Sequence, residues 1–275
     1  MQKTMPWGDN PRRLQEKIMR KQTLCLLLLF SILLTGCAWR RQQNQIPQIP
    51  RNSLEAKDFT EDGKGRAAYP GALLGVDVSS HQQEIDWTRV KADGVDFAIL
   101  RVGFRGYTEG GLNVDSSFAR NYVEARKAGL QVGVYFYSQA ISTAEAEEEA
   151  AFVLRMLDGV SLELPVFFDW EEVGQGRSGG HASSAVSDWA LAFCKAVEAG
   201  GYRAGVYFNQ RYGYSIMRLE NLTDYAFWIA EYSSYQSFGY RTAFWQFTGS
   251  GHVDGIETAV DLDLMYPQEA VNEQN

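Results

Sequence analysis

An α/β fold, a closed β/α barrel of eight strands with about five helices, is what the sequence predicts. Three observations carry that expectation. From Tyr69 onward a helical stretch, a glycine and a short β-branched or aromatic run recur; glycine suits the residue after a helix because the chain turns left-handed there. The runs alternate with helices, as parallel β/α units do. Eight of them fit into about 200 residues, which suits a closed TIM-like barrel lacking some outer helices. An open doubly wound sheet is the fold alternative, but no Gly-rich phosphate loop follows an early strand.

In chain order, the first elements are an export signal. Residues 24–34 form an apolar run broken only by Ser31, preceded by Arg20 and Lys21. The run is shorter than the roughly 20 residues a spanning helix needs and fits a secretory h-region. Leu34-Thr35-Gly36-Cys37 follows and resembles a bacterial lipobox, so residues 1–36 are expected to be signal and Cys37 to carry lipid. An uncleaved anchor is the alternative. Met19 opens a compact signal and is the expected true start. Residues 37–68 lack apolar periodicity and read as a flexible tether, leaving 69–275 as the barrel domain.

Within the barrel the strands are expected at 73–78, 95–102, 131–137, 164–170, 204–208, 226–231, 243–247 and 260–264. Helices are expected at 86–93, 116–128, 143–158 and 184–199, with a short one near 213–220. Gly174, Gly176, Gly179 and Gly180 mark a loop expected to be flexible. Cys194 shares an apolar helix face with Trp189, Phe193 and Val197 and reads as a buried, inert thiol.

Charge narrows the function. The formal net charge is -8. Residues 1–57 hold ten Lys/Arg and three Asp/Glu, so +7, and the rest carries -15. An acidic body argues against nucleic-acid binding by counterion release. Three cysteines make no disulfide framework, and three scattered histidines leave little for a metal site; neither metal nor cofactor is expected.

Function in a parallel barrel concentrates at the C-terminal strand ends. Asp77 ends the first strand, Asp169 and Glu171 the fourth, Glu231 the sixth, and Asp261 and Asp263 lie in the eighth. Residues two apart on a strand share a face, so Asp169 and Glu171 point together. Two close carboxylates resist joint ionisation; the expectation is a protonated Glu171 beside an ionised Asp169, as glycoside cleavage requires. Glu231 and Asp263, taken alone, read as caps or solvated loop residues. Tyr107, Tyr135, Tyr137, Trp170, Tyr207, Tyr232 and Trp245 are expected at the same rim, where aromatic faces stack on sugars. Gln246 is expected to bind sugar or an acid, and His81 to line the rim. Ser79 and Ser80 near His81 lack a nucleophile elbow.

At these residues the chain resembles glycoside hydrolase family 25, the Ch-type lysozymes. The resemblance rests on Gly75-Val76-Asp77-Val78-Ser79-Ser80-His81-Gln82, Asp169-Trp170-Glu171, Trp228-Ile229-Ala230, Trp245-Gln246 and Val260-Asp261-Leu262, among stretches spanning about residues 73–266. It implies N-acetylmuramidase activity on the β-1,4 bond of peptidoglycan glycan strands. Glu171 looks like the general acid, Asp169 its partner, and Asp77 and Asp261 the remaining acids. Tyr135, Tyr137, Tyr207, Trp245, Gln246, Arg101 and His81 are the expected substrate contacts; Arg101 stands where many relatives carry lysine. The expected protein is a monomer, extracytoplasmic and anchored by the lipid on Cys37 to a bacterial membrane, trimming wall nearby. A glycosidase acting on chitin-like bonds and a non-catalytic glycan-binding lipoprotein are the competing readings.

Overall fold

Alternation of buried residues closes the sheet on itself. The computed structural model describes residues 48–267; the signal, Met19 and Cys37 lie outside the described residues. A small hairpin, β1 (Thr60–Glu61) with β2 (Ala67–Ala68), precedes the barrel. The barrel strands are β3 (Leu73–Val78), β4 (Phe97–Arg105), β6 (Gln131–Ser138), β7 (Val166–Trp170), β8 (Ala204–Asn209), β9 (Ala226–Ala230), β10 (Phe244–Gly251) and β11 (Val260–Met265). They run in the order β3-β11-β10-β9-β8-β7-β6-β4, and β4 pairs back with β3 to close the ring. A short β5 (Leu112–Val114) lies antiparallel on the end of β4.

Every expected strand is present, but the expected all-parallel barrel is corrected. β11 is antiparallel to both neighbours, so the barrel is mixed. The reason lies in the connection: residues 252–259 join β10 to β11 with no helix, and a short loop can return a chain only antiparallel. The helices are Trp87–Ala92, Phe118–Lys127, Thr143–Leu157, Ala185–Ala199 and Gln210–Ser215. The last begins earlier than expected because Asn209 caps it, its side chain accepting from the Tyr212 amide at 3.1 Å.

The lumen is filled from below by aromatic side chains. Phe97, Ile99, Phe167, Trp228 and Phe244 pack there as one cluster. Glycines on neighbouring strands make room: a Cβ on Gly75 would lie 2.2 Å from the Phe97 ring, and one on Gly205 2.5 Å from Phe167. The opposite faces of the same strands pack outward against the helices, with Val76, Phe168, Val206 and Leu262 buried there.

The expected tether is corrected from residue 48 onward. Arg51 bridges Tyr240, the Arg241 amide donates to the Pro50 carbonyl at 2.8 Å, and Asn52 Nδ2 donates to the Phe238 carbonyl at 2.8 Å. Phe59 packs on Trp245 with centroids 5.3 Å apart. Ile49, Leu54 and Phe59 are spaced without helix or strand period, so they bury apolar area without a periodic signature.

Candidate active site

The alternation that seals the barrel also sorts its polar residues. On β7, Phe167 fills the lumen and Asp169 follows two places on; on β3, Gly75 precedes Asp77; on β11, Asp261 and Asp263 face inward. Asp77, Asp169, Glu171 and Asp261 thereby line one cleft of about 300 Å³. Asp77 and Asp261 are direct partners across the β3–β11 ladder. His81, Arg101, Tyr135, Tyr137, Tyr207 and Gln246 line the same cleft, with Tyr107 and Tyr232 beside them.

Trp245 is a correction. It is fully buried outside the lumen, packed on Phe59 and Phe247, and its Nε1 donates to the Glu231 carbonyl at 2.8 Å. The inward place on β10 belongs to Gln246, its neighbour. Trp170 is displaced by the same parity: it packs outward on Trp189 and Tyr212 and donates to the Ala140 carbonyl at 2.8 Å. Trp228, at the inward place on β9, is the tryptophan that meets the cleft. Glu231 accepts from the Ser237 and Phe238 amides and so caps a loop.

Gln246 is held from three sides. Its Nε2 donates to Asp77 Oδ2 at 2.7 Å, while its Oε1 accepts from the Tyr207 and Tyr232 hydroxyls at 2.9 and 3.1 Å. Its amide orientation is therefore fixed by the protein, with an acid as the direct partner. Arg101 reaches Asp115 Oδ2 at 2.8 Å and the Ser80 hydroxyl at 3.3 Å, which anchors the turn carrying His81.

Asp169 and Glu171 share a common electrostatic problem. Burial raises the pKa of both, and the Glu171 charge raises Asp169 further, against a smaller lowering by Arg101. A hydrogen bond from the Tyr137 hydroxyl offsets part of the rise at Glu171. Asp169 is 7% exposed and its Oδ1 is buried without a partner. Both carboxyls are pushed up, Asp169 most strongly because it is the more deeply buried and feels the Glu171 charge, so the two resist joint ionisation and titrate as a pair. Burial also pushes Asp261 up to about 6. Tyr135, Tyr137 and Tyr207 are raised by burial and by these acids, so they remain hydroxyl donors.

The backbone under Glu171 is supported by residues the sequence did not single out. Gln139 Nε2 donates to the Glu171 carbonyl at 2.8 Å, and the Ser178 hydroxyl donates to Gln139 Oε1 at 2.6 Å. Arg177 reaches Glu145 at 2.6 Å, and its amide donates to the Tyr107 carbonyl at 2.7 Å. The glycine-rich loop expected to be flexible is thus hydrogen-bonded into the wall of the cleft. No spacing in the sequence announces these contacts.

The model of the family described as glycosyl hydrolases family 25 matches residues 76–256. An uncharacterised protein, YegX of Escherichia coli K12, is 31% identical over 195 residues, covering 70% of this chain and 69% of the relative. The autolytic lysozyme of Clostridium acetobutylicum is 29% identical over 193 residues, covering 70% and 55%. Among solved structures, a family 25 glycosyl hydrolase from Bacillus anthracis superposes with a TM-score of 0.58 at 22% identity, covering 73% of this chain and 92% of that one. The autolysin LytC of Streptococcus pneumoniae gives 0.63 at 22% identity, and this chain spans about half its length, 52%. With the match covering most of the barrel and three of the four cleft acids, Asp77, Asp169 and Glu171, falling within it, the chain belongs to glycosyl hydrolase family 25.

Proposed function

We propose that the protein is a lipid-anchored muramidase that hydrolyses the β-1,4 bond from N-acetylmuramic acid to N-acetylglucosamine in peptidoglycan. The observation that carries the reading is the pairing of buried Asp169 with half-buried Glu171 in a tyrosine-lined cleft. A binding module has no need of two acids whose burial costs stability. The names of relatives agree, including an autolytic lysozyme and the Lysozyme M1 of Streptomyces globisporus. So does the pneumococcal autolysin, whose structure was obtained with a synthetic peptidoglycan ligand.

In this reading Glu171 donates its proton to the leaving glycosidic oxygen as the C–O bond breaks. Glu171 is the less buried of the pair and accepts from Tyr137. Asp169, ionised beside the protonated Glu171, stabilises the positive charge on the sugar ring or orients the substrate acetamido group for attack. Asp77 and Asp261 add negative charge on the other side of the cleft. A water then completes hydrolysis, returning its proton to the pair. The tyrosine hydroxyls and His81 meet sugar hydroxyls, while the rings of Tyr107 and Tyr232 offer faces for stacking.

The test is incubation with purified peptidoglycan. Reducing ends are expected in the supernatant; sedimentation with the wall without their release would overturn the enzymatic reading. Anchoring has its own test. Cys37→Ser is expected to move the protein from the membrane fraction to the soluble fraction and to remove fatty-acid labelling. A variant that stays membrane-bound would refute the lipid assignment.

A further inference from the structure

Asp263 is the acid that the proposed chemistry leaves unused. It stands two residues after Asp261 on β11 and faces the same lumen, one layer deeper. Its ladder partner is Gly75, which has no side chain to crowd it. Asp263 is 0% exposed, so the reading of it as a cap or solvated residue is corrected. Its Oδ1 accepts from Trp228 Nε1 at 2.8 Å. Its Oδ2 is buried without a donor, and Asp77, two places from Gly75 on β3, is its diagonal neighbour on the inward face of the β3–β11 ladder, close enough for each carboxyl to act on the other.

Asp77 already receives Gln246 on Oδ2. The two carboxyls thus meet in an interior where the further charge acting on each is another acid, Asp261. Two ionised carboxylates in that setting repel strongly, and a buried acceptor without a donor is costly. One proton between them removes both penalties. We propose that Asp263 is a positioning residue that shares a single proton with Asp77 and so fixes the Asp77 carboxyl at the floor of the cleft.

The neighbours are consistent with a bound proton. Gln246 and Trp228, facing the pair from β10 and β9, are neutral donors. Tyr135 and Tyr207, from β6 and β8, and Tyr232 beyond β9 are hydroxyls whose own ionisation the acids oppose. Arg101 on β4 is engaged with Asp115, and Asp169 on β7 is paired with Glu171.

The inference rests on the proposed glycosidase reading for its kinetic arm only. Asparagine at 263 supplies a neutral donor to Asp77 and keeps an acceptor for Trp228, with no proton needed. Asp263→Ala supplies neither. On peptidoglycan, Asp263→Ala is expected to lose at least about tenfold in kcat with KM little changed, and Asp263→Asn to recover most of that loss. An Asn variant as inactive as the Ala variant, though folded, would overturn the proposal.

The second arm needs no substrate. The unfolded chain ionises both acids near their ordinary values, whereas the folded pair keeps one proton. The pair's contribution to stability is therefore lost as pH rises from about 4 towards the raised value. Asp263→Asn has no such proton to lose, so its Tm relative to wild type is expected to rise between about pH 5 and pH 8. A Tm difference that is flat, or that falls with pH, would contradict the shared proton even if no glycan is ever cleaved.

Discussion

Glu171→Gln is expected to lower kcat on purified peptidoglycan by about 10²–10⁴-fold, the range lost with a general acid, while the protein still folds. Glutamine keeps the shape and can still accept from Tyr137, but it cannot deliver a proton to the leaving oxygen. Stability should not fall. Burial raises the pKa of both Glu171 and Asp169, so the folded state binds more protons than the unfolded state near neutrality. That linkage opposes folding as pH rises, and removing one acid relieves it. Calorimetry at pH 7 should give a Tm equal to or above wild type. In the wild type the rate should fall on the alkaline side as the shared proton leaves the pair. Asp261, pushed up to about 6, should shape the acid side if its charge is used. A Glu171→Gln enzyme with an unchanged rate would remove that residue from the mechanism.

Arg105→Leu carries the largest expected loss of stability, about 3–5 kcal/mol, the cost of breaking a buried ion pair from one side. Arg105 is 4% exposed. Its Nε donates to Glu149 Oε1 at 2.7 Å, its Nη1 to the Gly110 carbonyl at 2.8 Å, and its Nη2 to the Glu145 carbonyl at 3.0 Å. Glu149 is wholly buried and also accepts from the Ser138 hydroxyl at 2.6 Å. Burial pushes its pKa up to about 7, against the lowering by Ser138 and Arg105. Without Arg105 that carboxyl must take a proton, so the variant should lose further stability as pH rises through neutrality. Arg105→Leu combined with Glu149→Leu should recover part of the loss, because an apolar pair leaves no orphaned charge. Urea denaturation at pH 7 reads both. A double variant no better than the single one would place the cost in the Gly110 and Glu145 contacts instead. The same network ties β4 to the helix Thr143–Leu157, and Glu145 of that helix holds Arg177 in the cleft wall.

What the chain announced and what it concealed follow from the range of each interaction. The strands were legible because glycine, helix and apolar run repeat locally. The direction of β11 was not, since it depends on how a loop without a helix can return. Asp77, Asp169, Glu171 and Asp261 were legible by two-residue parity and position at strand ends. Parity also disqualified Trp170 and Trp245, because each sits next to an inward-facing acid or glutamine; counting aromatics near the rim masked that. Residues 48–68 concealed their docking because Ile49, Leu54 and Phe59 follow no period. Gln139, Ser178 and Asp263 act through partners distant in sequence, and only the closed barrel brings those partners to them.

The chemical identity of the new reducing end, read by mass spectrometry of the digested wall, tests the central claim most directly. N-acetylmuramic acid at that end is the expected result. N-acetylglucosamine at that end, or intact strands after prolonged incubation, would contradict the assignment of this cleft to muramidase chemistry.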